Sequence, residues 1–136
     1  MFNRHDCRLK LVFALFKSLL LDRNIKQVFV NDNEYDLEKG YFEEDKEYID
    51  KILNDLEENT NNYIDLIKPL LVHWDIERIN FLDKAIMVEA ISEIKTGVNN
   101  KNIVINEAVI IAKEYIPDES YKYINGVLDK IWFNTQ

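Results

Sequence analysis

Ile79-Asn80-Phe81-Leu82-Asp83-Lys84-Ala85-Ile86-Met87-Val88-Glu89-Ala90-Ile91-Ser92-Glu93-Ile94 is the stretch on which the fold turns. Leu82, Ala85, Ile86 and Ala90 line one helical stripe, and Met87, Ile91 and Ile94 line another. A helix apolar on more than one side is a central one, covered by neighbours on several faces. Thr96-Gly97 ends it, because glycine takes the left-handed conformation that follows many helices.

Working outward, the neighbours are helical too. Leu9, Val12, Phe13, Phe16 and Leu20 keep the spacing of one helical face, which predicts a helix over roughly 5–22. Residues 31–44 are acidic and aperiodic, with Gly40 as a break. Ile49, Ile52, Leu53 and Leu56 mark a second helix, which Glu57-Glu58-Asn59-Thr60-Asn61-Asn62 is expected to interrupt. Asn59 or Thr60 would then cap a third, carrying Tyr63, Ile67, Leu70 and Leu71 and disturbed at its end by Pro69. Beyond the central helix, Ile105, Ala108, Val109 and Ala112 mark another helix, closed before Pro117. Ile124, Val127, Leu128 and Ile131 mark the last, with Ser120 as its cap. The expectation is an all-α chain of six to seven helices packed antiparallel around a shared core.

Composition agrees. The 136 residues contain three glycines and two prolines, too few for the turns of β-sandwiches and barrels or for a phosphate-cradling loop. Cys7 stands alone, so neither an internal disulfide nor a cysteine zinc site is available. No apolar run reaches membrane-spanning length and no cleavage site follows the charged N-terminus, so a cytoplasmic protein with no membrane association is expected. The net charge is −8, distributed as +4 over residues 1–30, −9 over 31–60 and −3 over 61–136. Such a chain attracts phosphate backbones poorly by itself, but its basic first helix offers one local footprint.

Catalytic and metal patterns are weak. His5, Asp6 and Cys7 are sequence neighbours whose side chains diverge on a helix, so they read as an ordinary helix start. His73 with Asp75 lacks further ligands at metal spacing, and Glu43, Glu44, Asp45 and Glu47 lack the order of a calcium loop. His73 reads as buried or capping, and the four acids read as a solvated acidic face.

The segment Ile103-Val104-Ile105-Asn106-Glu107-Ala108-Val109-Ile110-Ile111-Ala112-Lys113 resembles the "INEAVxxAK" block of the transcription antitermination factor NusB family. Ser120-Tyr121-Lys122-Tyr123-Ile124-Asn125-Gly126-Val127-Leu128-Asp129-Lys130 follows at the family's separation and resembles its "FVNGVLDK" helix. Val12-Phe13-Ala14-Leu15-Phe16 and Leu82-Asp83-Lys84-Ala85-Ile86-Met87 are similar to two further family segments. Within these blocks, Gly126 interrupts a sound helix, which makes sense if the helix carrying Ala108 and Ala112 approaches closely. Asn106 and Asn125 are placed to satisfy backbone groups at neighbouring helix ends.

The resemblance implies a single NusB-like helical domain over 1–136, with an N-terminal bundle to about residue 72 and a C-terminal one from about 73. It implies no enzyme activity and no cofactor, but RNA binding. The family binds boxA RNA together with NusE, a ribosomal protein, inside an RNA polymerase antitermination complex that reads through ribosomal RNA operons. Whether the chain is a monomer or a homodimer is left open. By the same resemblance the RNA residues are Arg4, His5, Arg8 and Lys10 of the basic arm, with Tyr123 as stacking aromatic beside Lys122 and Glu119. Phe16 and Asp83 would face NusE. The arm has two arginines where the family has three or four, and Val88-Glu89 stands where the family often has arginine. The alternative is therefore a helical protein–protein adaptor with weak or no RNA binding. An independent enzyme ranks third, and would need Cys7 and His73 to converge.

Overall fold

Asparagine starts most of the helices. In the computed structural model, which describes residues 2–33, 41–71 and 79–134 (side chains to 131), six α-helices follow one another: α1 (Arg4–Leu21), α2 (Ile25–Asp32), α3 (Glu43–Ile67), α4 (Phe81–Thr96), α5 (Lys101–Tyr115) and α6 (Ser120–Asn134). A 3₁₀ turn, Lys68–Leu70, carries Pro69 at the end of α3. The side chains of Asn3, Asn24, Asn80 and Asn100 accept the first free backbone N–H groups of α1, α2, α4 and α5. At α1 the cap is reciprocal, because Asp6 accepts the Asn3 N–H in return. No strand occurs among the described residues.

The central position of α4 is as the sequence predicts. It packs against α1, α3, α5 and α6, and every residue from Ala85 to Ile94 is buried. Ile86, Met87 and Ile91 are at most 1% exposed, and fully burying such a side chain contributes roughly 1.5–3 kcal/mol. Gly97 closes the helix at φ 73°, in the left-handed region. Among the described residues no helix is long and apolar enough to cross a membrane.

Several sequence expectations are corrected. The first is α2, a short helix unforeseen in the sequence, which buries Ile25, Val28 and Phe29. The second is the break expected at 57–62, which does not exist: α3 runs through it. Several of its polar side chains bond inside the helix, Thr60 Oγ1 donating to the Leu56 carbonyl (2.5 Å) and Asn59 Nδ2 to Asp55 (3.0 Å). Leu56, Tyr63 and Ile67 stay on one buried stripe, so packing carries the helix across. Third, Ser120 is the first residue of α6 rather than its cap, and Asp118 accepts the Ser120 N–H at 2.8 Å. Fourth, no helix approaches Gly126 closely. It is exposed, and a Cβ placed there would meet nothing within 4 Å. Asn106 and Asn125 likewise face solvent, along a shallow groove between α5 and α6, and bond no helix end among the described residues. Gly40, His73 and Asp75 lie outside the described residues.

Candidate nucleic-acid and partner interface

The first turns of α1 hold the expected cations, and most are paired with acids from distant parts of the chain. Arg4 Nε donates to Asp45 Oδ1 at 2.8 Å, and its guanidinium lies 4.1 Å from the centre of the Tyr48 ring. His5 sits between two carboxylates, Nδ1 3.3 Å from Glu107 and Nε2 3.8 Å from Glu114. Lys10 Nζ donates to Asn33 Oδ1 at 3.1 Å and lies 4.3 Å above Phe2. Asp45, read in the sequence as part of a solvated acidic face, is buried, while Glu43, Glu44 and Glu47 are exposed as expected.

Arg8 differs from the rest of the arm. Its side chain is 4% exposed, and its guanidinium grips Glu93 in a two-pronged bond, Nε to Oε2 at 2.7 Å and Nη2 to Oε1 at 2.9 Å. Burial alone would disfavour its charge, but Glu93 holds the guanidinium firmly protonated. Burial also opposes the charge of Glu93, yet the Arg8 bonds keep that carboxylate below its usual range. Glu89, one turn earlier, is the opposite case. Burial and the adjacent Glu93 charge push it well above the usual range, which favours its neutral form, and it accepts from Tyr48 Oη at 3.1 Å. Arg8 thus ties α1 to α4 inside the core, where no phosphate can reach it without unpacking the helix. Neither Glu89 nor Glu93 was foreseen as a partner, since no local pattern marks a pairing across 85 residues.

A second constellation lies where α4 begins beside α6. The Tyr123 hydroxyl donates to Asp83 Oδ2, and burial together with this bond raises the tyrosine pKa well beyond its ordinary value. Asp83 was expected on an exposed face; it is 4% exposed. Burial pushes its carboxyl above the usual range, against the stabilising Tyr123 and nearby Ser120 hydroxyls. Ser120 Oγ donates to Asp118, and Lys122 Nζ reaches Glu119 at 3.0 Å. These residues line a cleft of about 510 Å³ with Ile79 and Asn80. The sequence reading treated Tyr123 and Asp83 as contacts for different partners; the structure brings them into one cluster. Phe16 is partly buried on α1, packed against the core.

Nothing among the described residues is arranged for nucleophilic catalysis. Cys7 is fully buried, and burial raises its thiol pKa to about 11. No group of three or more metal-ligating side chains gathers among the described residues.

Comparison with known proteins agrees with this architecture. Residues 5–132 match the model of the NusB family. The transcription antitermination protein NusB of Clostridium botulinum (strain Kyoto / Type A2) is 32% identical over 141 residues, spanning 95% of this chain and 99% of that protein. The Macrococcus caseolyticus protein of the same name is 36% identical over 84 residues, covering 62% of this chain and 65% of the other. The solved structure of T. maritima NusB superposes with a TM-score of 0.82 at 29% identity, covering 96% of this chain and 90% of that one. By a family match that spans nearly all of its helices, and by relatives that share them end to end, this chain belongs to the NusB family of transcription antitermination factors.

Proposed function

We propose that this protein binds boxA-type RNA as a heterodimer with the ribosomal protein NusE, and so promotes read-through of ribosomal RNA operons by RNA polymerase in the cytoplasm. The family match across residues 5–132 carries this reading. Electrostatics supports the need for a partner: at net charge −8 the chain alone has little long-range attraction for a phosphate backbone. We take the RNA face as the end of α1 presenting Arg4, His5 and Lys10, all partly exposed. Arg8 serves that face by holding α1 in place. Phe16, on the same helix, is taken as a NusE contact. The domain is read as two bundles meeting near residue 72, with α4 bridging them.

The test is a gel shift with boxA-type RNA, with and without purified NusE, at two salt concentrations. Co-operative binding that weakens with salt, and a shallower salt dependence in Lys10→Ala by roughly one phosphate contact, is the expected result. NusE binding with no RNA retained at either salt would instead establish the adaptor reading. The resemblance also gives Glu119, Lys122 and Tyr123 to RNA, and these three line one cleft where α4 begins beside α6.

A further inference from the structure

Arg4 and Arg8 lie a turn apart on α1 and are held in opposite ways. Arg8 turns its fork inward: Nε and Nη2 both bond Glu93, and Nη1 lies 3.6 Å from Glu107. Arg4 bonds Asp45 through Nε alone, at 2.8 Å, and its Nη1 and Nη2 bond no group among the described residues. Its side chain is 35% exposed, against 4% for Arg8. A carboxylate that neutralised Arg4 would take the two-pronged grip that Glu93 takes on Arg8. Asp45 instead holds the root of the guanidinium and leaves the outer N–H groups unused.

Tyr48 fixes the same group through its ring. The ring centre lies 4.1 Å from the guanidinium carbon of Arg4 and 5.9 Å from that of Arg8. The ring is itself held, because Tyr48 is buried and its Oη donates to Glu89 of α4 at 3.1 Å. Asp45 is buried too, in the first turn of α3, where the helix dipole favours an acid. Arg4 is the first residue of α1, where the dipole disfavours a cation, so its charge does not stabilise its own helix. A long, flexible side chain is thus clamped at its root and over its ring-facing plane, while its tip stays open. An arginine that is ordered only on binding loses affinity to that ordering, and one ordered beforehand does not.

We propose that Asp45 and Tyr48 are positioning residues for RNA: they fix the Arg4 guanidinium so that Nη1 and Nη2 grip one phosphate of the bound strand. The inference rests on the RNA half of the proposed function. It gives two residues of α3, from the most acidic part of the chain, a part in holding a polyanion. If Asp45 instead competed with phosphate for Arg4, removing its charge would tighten RNA binding, so the two arrangements differ in sign.

The test is a double-mutant cycle in the gel shift, with the full chain, NusE and boxA-type RNA at about 50 and 200 mM salt. Losing one phosphate contact makes the fall in affinity between these salts about three- to fourfold smaller, and Arg4→Ala should show this. Asp45→Ala should weaken binding several-fold and flatten the salt dependence equally, although it removes a negative charge. Asp45→Asn, which keeps the volume, stands in if that variant does not fold. In the Arg4→Ala background the same Asp45 change should alter affinity by less than about twofold. Tyr48→Leu should weaken binding several-fold, whereas Tyr48→Phe, which keeps the ring over Arg4 and loses only the bond to Glu89, should restore it. Tighter binding on removal of the Asp45 charge would overturn the proposal. So would an equal loss with and without Arg4, which would make Asp45 merely structural. Either result, with the parent chain still binding RNA, leaves the proposed function standing. A parent chain that binds NusE but no RNA would overturn that function, and this inference with it.

Discussion

Replacing Arg8 by methionine tests whether this residue is an RNA ligand or a core strut. The substitution keeps an apolar stem of similar reach but leaves Glu93, with no exposed side-chain surface, deprived of its cation beside Glu89. Breaking a buried ion pair from one side costs about 3–5 kcal/mol, because the surviving charge stays buried and uncompensated. Against a typical total stability of about 5–15 kcal/mol this is a large fraction. At roughly 3–5 °C per kcal/mol for a chain of this size, Tm should fall by about 10–20 °C at pH 7. The loss should shrink on acidification, for two reasons with the same sign. In the parent, Glu93 is held below its ordinary range, so its stabilisation is present above the unfolded pKa and fades as pH falls through the folded one. In the variant the orphaned Glu93 is pushed upward, so its penalty is relieved as it takes up a proton. Adding Glu93→Leu should recover most of the loss, since an apolar pair can replace a buried ionic one at little cost. Thermal unfolding by circular dichroism at pH 7 and pH 4.5, for both single variants and the double, reads all of this. A drop in Tm of less than about 3 °C for Arg8→Met, or a double variant no better than the single, would refute the strut.

Three further outcomes follow from the same geometry. Glu89 has a raised folded pKa, so its contribution is complete below the ordinary carboxylate range and is lost as pH rises towards the folded value; Glu89→Gln, isosteric with the neutral acid, should flatten the decline in stability above pH 5 in denaturant titrations. Gly126→Ala should stabilise by about 0.5–1 kcal/mol, since the site is helical, exposed and open around a new Cβ; a measured loss of stability would show that the space is not open. Asn100→Ala removes the acceptor of the Ile103 N–H, 3.0 Å away, and should cost about 1 kcal/mol by chemical denaturation, against no more than a few tenths for Asn100→Gly.

Much of the scaffold was legible because it depends on periodicity. The two apolar stripes of α4 and the helix ends marked by Gly97 and Pro117 are local patterns, and the structure keeps them; in α1 the periodicity gives the helix but not its inner face, since Cys7, Leu11, Val12 and Leu15 are buried while Leu20 is half exposed. The short α2 escaped because Ile25, Val28 and Phe29 span barely more than one turn, too little for a period to stand out. The continuity of α3 escaped because asparagine and threonine favour breaks in isolation. Here, bonds to the preceding turn and a buried stripe override that preference. The candidate sites were less legible. The burial of Arg8 depends on Glu93, and that of Asp83 on α6, whose Tyr123 is 40 residues further along, and such pairings leave no mark on either segment alone. Residue type identified the charged groups, but their partners decided whether each faces solvent, a cleft or the core.

The long reach of the Arg8–Glu93 pair bears on how the domain is made. During synthesis α1 emerges before α4, and the carboxylate that completes it lies 85 residues later. Until α4 is available, α1 lacks its ionic partner and part of the surface its buried stripe requires, and an exposed apolar face in a nascent chain is prone to wrong associations. The core of this domain is therefore shared between distant parts of the chain, and α1 is complete only once α4 is in place.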